Sequence, residues 1–107
     1  MATAAKSQIL QVAEMVSYQA GSVVSRQVIK ADAGNVTLFA FEADQGLSEH
    51  TAPFDALVHI LDGEAQVTIS GSLFELKTGD AIIMPANEPH ALKAVKRFKM
   101  LLTMIRV

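Results

Sequence analysis

The sequence predicts an all-β domain, a sandwich or barrel of short strands. Two observations carry that reading. Short runs rich in Val, Ile, Thr and Phe recur along the chain, parted every several residues by Gly, Asp and Asn turns. The second is a corner: Ala81-Ile82-Ile83-Met84 leads to Pro85 and Pro89, after which His90-Ala91-Leu92 resumes an apolar run. Prolines lack a backbone donor, so neither a helix nor a central strand survives between them. A strand, a braced corner and a returning strand that begins with histidine place one imidazole at the lip of a pocket. At 107 residues the chain holds one core, not two.

Residues 1–107 are expected to form a single domain, with 36–106 as the barrel and 1–30 adding strands to the sheet or covering it. Met1 to Lys6 is small and polar and expected to fray. Ser7 is placed to cap a short helix through Ile9, Leu10, Ala13 and Glu14, although the apolar spacing is only partly helical. Val16-Ser17-Tyr18 and Ser22 to Ile29 read as strands split by Ala20-Gly21. Asp32 to Asn35 is a turn, Val36 to Glu42 a strand, and Ala43 to Gly46 a loop leading to the His50 strand. Ala56 to Leu61 is nearly continuous apolar strand, and Asp62-Gly63 reads as a tight turn that ends it. Glu64 to Ser70 then alternates, with Ala65, Val67 and Ile69 on one face. Gly71-Ser72 turns the chain into Leu73 to Leu76, and Thr78-Gly79-Asp80 turns it again. Phe98 to Ile105 is the last strand.

Half of the residues are hydrophobic and the mean hydropathy is +0.30, high for so short a chain. A small domain cannot hide that much apolar surface, so a homodimer is expected. A formal charge of -2 gives no electrostatic reason to expect nucleic acid. The local cluster Lys93, Lys96, Arg97 and Lys99 reads as a solvated loop. There is no cysteine, hence no disulfide, thiolate nucleophile or thiolate metal ligand, which suits a reducing compartment. No apolar run approaches membrane-spanning length and the start lacks a secretory leader, so a cytoplasmic protein without membrane contact is expected.

Strand side chains alternate between faces, so residues of one parity share a surface. On an uninterrupted strand the face of His50 holds Ser48, Ala52, Phe54, Ala56, Val58 and Ile60. Leu92 and Ala94 share the face of His90, while the last strand presents Phe98, Met100, Leu102 and Met104 on one side. His59 has the opposite parity and faces outward, under the N-terminal segment or a partner. Glu49 and Asp55 also fall on the wrong face. Met84, Met100 and Met104 either fill core gaps or adapt to an apolar ligand.

Gly79 to Ala94, GDAIIMPANEPHALKA, resembles the second signature of the cupin superfamily, G-x5-P-x-G-x2-H-x3-N. Gly79, Pro85 and His90 stand at pattern positions; Asn87 replaces the second glycine and Ala94 the asparagine. Asn tolerates positive φ better than most residues, so the first departure is mild. Part of the first signature, G-x5-H-x-H-x3-E-x6-G, lies upstream, with His50 at its first histidine and Gly63 at its closing glycine. Ala52 and Ala56 occupy the second histidine and the glutamate, and Gly46 stands closer to His50 than the pattern asks.

The resemblance, over about residues 36 to 106, implies a double-stranded β-helix, or jelly-roll, barrel of the cupin type. In such a barrel the faces above converge on a small cavity with His50 and His90 at one side. The expected pocket comprises His50, Ala52, Phe54, Ala56, Val58 and Ile60, with Met84, His90, Leu92, Met100, Leu102 and Met104. Cupins typically hold a divalent metal through three histidines and one glutamate; here only His50 and His90 match. Glu42 is the one carboxylate in a neighbouring strand that stands as a further candidate ligand. A divalent transition metal therefore stays open as cofactor, and no other is implied. No nucleophile motif, phosphate loop or carboxylate pair stands out. The preferred expectation is a binding module for a small, largely apolar molecule. The alternatives are a metal-dependent enzyme of dioxygenase or isomerase type, and a sensor acting through a partner protein.

Overall fold

Apolar and polar alternation resolves into eight antiparallel strands, β1 (Val23–Ala31), β2 (Gly34–Phe41), β3 (Gly46–His50) and β4 (Phe54–Ile69), then β5 (Ser72–Lys77), β6 (Ala81–Met84), β7 (His90–Lys93) and β8 (Phe98–Arg106). The computed structural model describes residues 3–107; Met1 and Ala2, part of the stretch expected to fray, lie outside the described residues. The 16-residue β4 serves both walls of a curled sheet. Its first part pairs with β8 and β6, its second with β7 and β5. One wall therefore runs β1-β2-β8-β4-β6 and the other β3-β7-β4-β5. This is the all-β jelly roll expected.

Asp62-Gly63 is not a turn. β4 continues through it, with a register shift between Ile60 and Asp62, and both residues pair with β8 at Lys99 and Phe98. A bulge bends one strand from wall to wall where a hairpin would have reversed it. Gly63 has φ +83°, and a Cβ there would lie 2.0 Å from the Arg97 carbonyl oxygen. The dipeptide that favours tight turns serves equally in a bulge, so local sequence could not separate the two.

The N-terminal segment also departs from expectation. Ser7 has φ 60° and caps nothing, and the expected helix is a single 3-10 turn, Val12–Glu14. Val16 to Tyr18 is not a strand. These residues lie on the outer face of the β1-β2-β8 wall, where Val16 is buried with Val28, Leu38 and Ala40. Packing onto a ready-made apolar surface satisfies Val16 without any strand pairing. β1, by contrast, joins the wall edge beside β2.

Inside the walls the core centres on Phe41, Val58, Ile60, Val67, Phe98 and Met100, all fully buried. The Phe41 and Phe98 rings stack with centroids 4.5 Å apart. That block closes one end of the barrel and leaves the histidine end less filled.

Candidate functional site

The two histidines meet because β3 and β7 are neighbours. Gly46 pairs with Lys93 and Leu47 with Leu92, and a register shift then brings His50 opposite His90. A Cβ on Gly46 would stand 2.4 Å from the Leu92 carbonyl oxygen, so glycine permits this close pairing. The shift also alters which side chains share a face. Leu47 and His50 both reach the cavity, while Ser48, expected beside His50, is exposed. The alternation rule missed Leu47 because it assumes an unbroken strand.

The corner before His90 is pinned on several sides. Asn87 adopts φ 64°, the region that asparagine tolerates, and its N–H donates to the Ala52 carbonyl at 2.8 Å. The Ala86 N–H donates to Asp55 Oδ1 at 2.9 Å, and the Ser70 N–H to the Pro89 carbonyl at 2.8 Å. These bonds fix the strand entry, and His90 arrives 5% exposed.

Each imidazole is oriented by the carbonyl two residues before it. His50 Nδ1 lies 2.7 Å from the Ser48 oxygen and His90 Nδ1 lies 3.1 Å from the Glu88 oxygen. A carbonyl only accepts, so both bonds require Nδ1–H. Yet the two Nε2 atoms face each other at 3.2 Å, with the rings inclined by 69°. With both Nδ1 protonated, two lone pairs would point together. Either one ring moves its hydrogen to Nε2 and gives up its carbonyl, the longer His90 bond being the weaker, or the pair takes up a proton between the two Nε2 atoms. Burial opposes the second course: it pushes the His90 pKa below the ordinary 6.5, the Glu88 carbonyl acting against that shift and His50 with it.

Beneath the pair is a small cavity of about 50 Å3. Leu47, Ala52, Phe54 and Ala56 line one side; Met84, Leu92, Met100, Leu102 and Met104 complete it. Val58 and Ile60, expected in the pocket, lie in the core and do not reach the cavity. All three methionines of the expected set do line it.

The residues do not fit a resident metal. The Nε2 atoms converge as ligands do, but Ala52 and Ala56 present methyl groups where two further donors would be needed. Glu42 does not help: its carboxylate pairs with the Arg97 guanidinium at 2.6 and 3.1 Å. Among the described residues, no group of three or more His, Asp or Glu side chains could hold a metal ion. Zinc and non-haem iron sites use at least three protein ligands.

Other expected features lie elsewhere. His59 stands on the outer face opposite Leu101 and Ala81, half-buried. The basic loop is only partly free: Lys96 pairs with Glu64 at 3.2 Å, Arg97 with Glu42, and Lys99 Nζ donates to the Ala13 carbonyl at 2.6 Å. A larger open groove of about 430 Å3, beside Glu64, Glu75, Lys77 and Asp80, is walled by charged side chains and gathers no convergent donor set. No helix is long and apolar enough to cross a membrane.

The cupin domain pattern matches residues 37–105. A conserved protein of unknown function from Streptococcus pyogenes is 31% identical, with a TM-score of 0.92 over 100% of this chain and 96% of that one. A cupin superfamily protein from Desulfitobacterium hafniense is 27% identical, with a TM-score of 0.91 over 99% and 97% of the two chains. A predicted oxalate decarboxylase from Thermotoga maritima shares the fold alone, at 16% identity and a TM-score of 0.76 over 81% and 83%. No curated protein matches the chain.

Proposed function

The chain belongs to the cupin family, and from that premise we propose that it is a cytoplasmic binding module for a small, largely apolar molecule with one polar end. One observation carries the reading: in a small, partly open cavity of apolar and thioether walls, the only polar side chains among the described residues are the converging imidazoles of buried His90 and solvent-exposed His50. Fold alone assigns no activity here, because one fold hosts many functions. Metal-dependent dioxygenase or isomerase chemistry would need ligand atoms that Ala52 and Ala56 do not supply.

Size limits the ligand. Ordinary ligand pockets span roughly 300–1,000 Å3, so a cavity of about 50 Å3 admits only a few heavy atoms as it stands. Unbranched thioether side chains re-pack easily, and Met84, Met100 and Met104 are the walls that would yield. A carboxylate head suits the imidazoles best, since a proton taken up between the two Nε2 atoms supplies a counter-charge.

Calorimetry with hexanoate, octanoate and benzoate tests this. Affinity is expected to rise as pH falls from about 8 to about 6, through the ordinary histidine range. The His50→Gln/His90→Gln variant should lose that dependence and keep its fold. Binding that ignores pH in the native protein, or a preference for highly charged sugar phosphates, would overturn the reading. So would a stoichiometric transition metal that survives chelator and is lost in His50→Ala.

A further inference from the structure

The inner row of β8 ends on a charge. Because β4 bends at Asp62, both of its ends come to the histidine end of the barrel, where Ile69 pairs with His90 on one wall and Phe54 with Arg106 on the other. Directly opposed residues of antiparallel strands share a face, and Phe54 lines the cavity. Arg106 also follows Met100, Leu102 and Met104 in the alternation of β8, and all three line it too. An apolar row thus finishes, at the rim, on a guanidinium. That group is held without being neutralised. Its Nε donates to the Asp32 carbonyl at 3.2 Å, and its Cζ lies 4.8 Å from the centroid of the Phe54 ring. The backbone N–H of Arg106 donates to the Ala33 carbonyl at 2.9 Å. Among the described residues the ion pairs are Lys96 with Glu64 and Arg97 with Glu42, so no carboxylate neutralises Arg106, and its two terminal nitrogens meet no acceptor.

We propose that Arg106 is the residue that makes this pocket select a carboxylate over a neutral head, an inference that rests on the binding function proposed above. An arginine fork matches a carboxylate with two parallel hydrogen bonds. Here the Nε bond and the Phe54 ring restrict its rotamers before any ligand arrives. Stacked sheets stand about 10 Å apart. A carboxylate seated at the imidazoles of one wall therefore comes within reach of an arginine on the facing wall. A cation resting on a solvent-exposed aromatic ring is weakly held, so the guanidinium can leave Phe54 for an anion. The two walls then have separate roles. The histidines supply a charge only when one of them takes up a proton, whereas a guanidinium is charged at every pH the protein tolerates. Arg106 accordingly sustains a preference for carboxylate at pH 8, where ordinary imidazole is neutral.

Calorimetry at pH 8 with hexanoate and its neutral counterpart 1-hexanol tests the assignment. The native protein should bind hexanoate the more tightly, with an affinity that falls as sodium chloride rises from about 50 to about 500 mM. Arg106→Gln should weaken hexanoate about tenfold or more, a charge-assisted pair being lost, and leave 1-hexanol within about twofold. Arg106→Lys keeps the charge without the fork and should recover only part of that loss. Arg106 is exposed, so both variants should keep the native circular dichroism spectrum. Arg26→Gln removes an equal charge from β1, opposite Leu38 on the outer face, and should change neither affinity. Hexanoate affinity unaltered in Arg106→Gln, or no preference for hexanoate in the native protein, would overturn this inference while the binding reading stands. An equal loss for both probes would also overturn it, since Arg106 would then only brace Phe54. A native protein that binds neither probe would overturn that reading and this inference together.

Discussion

Burial holds the His90 imidazole below the ordinary 6.5 of histidine, and the neighbouring His50 acts in the same direction. The unfolded chain therefore takes up a proton at this residue at higher pH than the folded one. The resulting stability is fully present above about 6.5 and is lost as pH falls through the lower folded value. Urea midpoints should decline between pH 7.5 and pH 5.5, and His90→Gln should flatten that decline. The Glu42 carboxylate, held below its ordinary 4.5 first by the Arg97 hydrogen bonds and then by the Ala43 N–H, adds a separate loss. That contribution is present above about 4.5 and is lost only as pH falls further, so its loss begins at lower pH than the loss at His90. A native midpoint that is level from pH 7.5 to 5.5 would mean that His90 is not desolvated as described. The same residues invite a reconstruction. Ala52 and Ala56 line the cavity beside both imidazoles, so Ala52→His with Ala56→Glu should create a divalent-metal site absent from the parent. The metal-free variant should melt lower, because a buried carboxylate then lacks a partner. Equal zinc affinity in parent and variant would show that these methyl groups do not stand at ligand positions.

At the scale of the element, the N-terminal segment is held less by regular structure than by one side chain. The Tyr18 hydroxyl donates to Asp62 at 2.5 Å, and its ring receives the Arg97 guanidinium at 4.3 Å and the Lys99 ammonium at 5.2 Å. Burial and the Asp62 carboxylate both raise its pKa, so the phenol stays protonated and remains a donor. Asp62 sits at the β4 bulge and Lys99 on β8, so Tyr18 ties the strap to the bend of the sheet. Tyr18→Phe should cost about 1 kcal/mol, the worth of a typical hydrogen bond. Tyr18→Ala should cost about 2 to 3 kcal/mol, since ring packing and cation contact go as well. Urea titration measures both, with amide exchange at Ala4, whose N–H donates to the Val28 carbonyl, as the local readout. Equal stability of the native and alanine proteins would show the strap to be held otherwise. None of this was legible beforehand, because Val16 to Tyr18 has the composition of a strand. Its partner proved to be the face of a sheet and not an edge.

Over the whole molecule, hydrophobic alternation determined the all-β class, most strand positions and the inner faces of β4 and β8. Alternation reads directly as burial wherever a strand is regular. The glycine, proline and histidine spacing around Gly79 to His90 likewise marked the corner and its imidazole, because few backbones tolerate that combination. Tertiary structure decided the rest, and always at irregularities or across walls. The bulge at Asp62 carried β4 from one wall to the other, and the shift within β3 turned Leu47 inward and Ser48 outward. Both are insertions of one residue into a pairing, visible only when the partner strand is known. The contact of His50 with His90, forty residues apart, follows from β3 lying beside β7, as does the conflict between their lone pairs. Glu42, expected at the end of a strand, lies just past β2, and its capture by Arg97 depends on a loop fifty-five residues away. Cavity volume is the clearest case. Side-chain identity named most of the wall, whereas the gap left between walls is set by how two curved sheets close on each other, a property of no single stretch of chain.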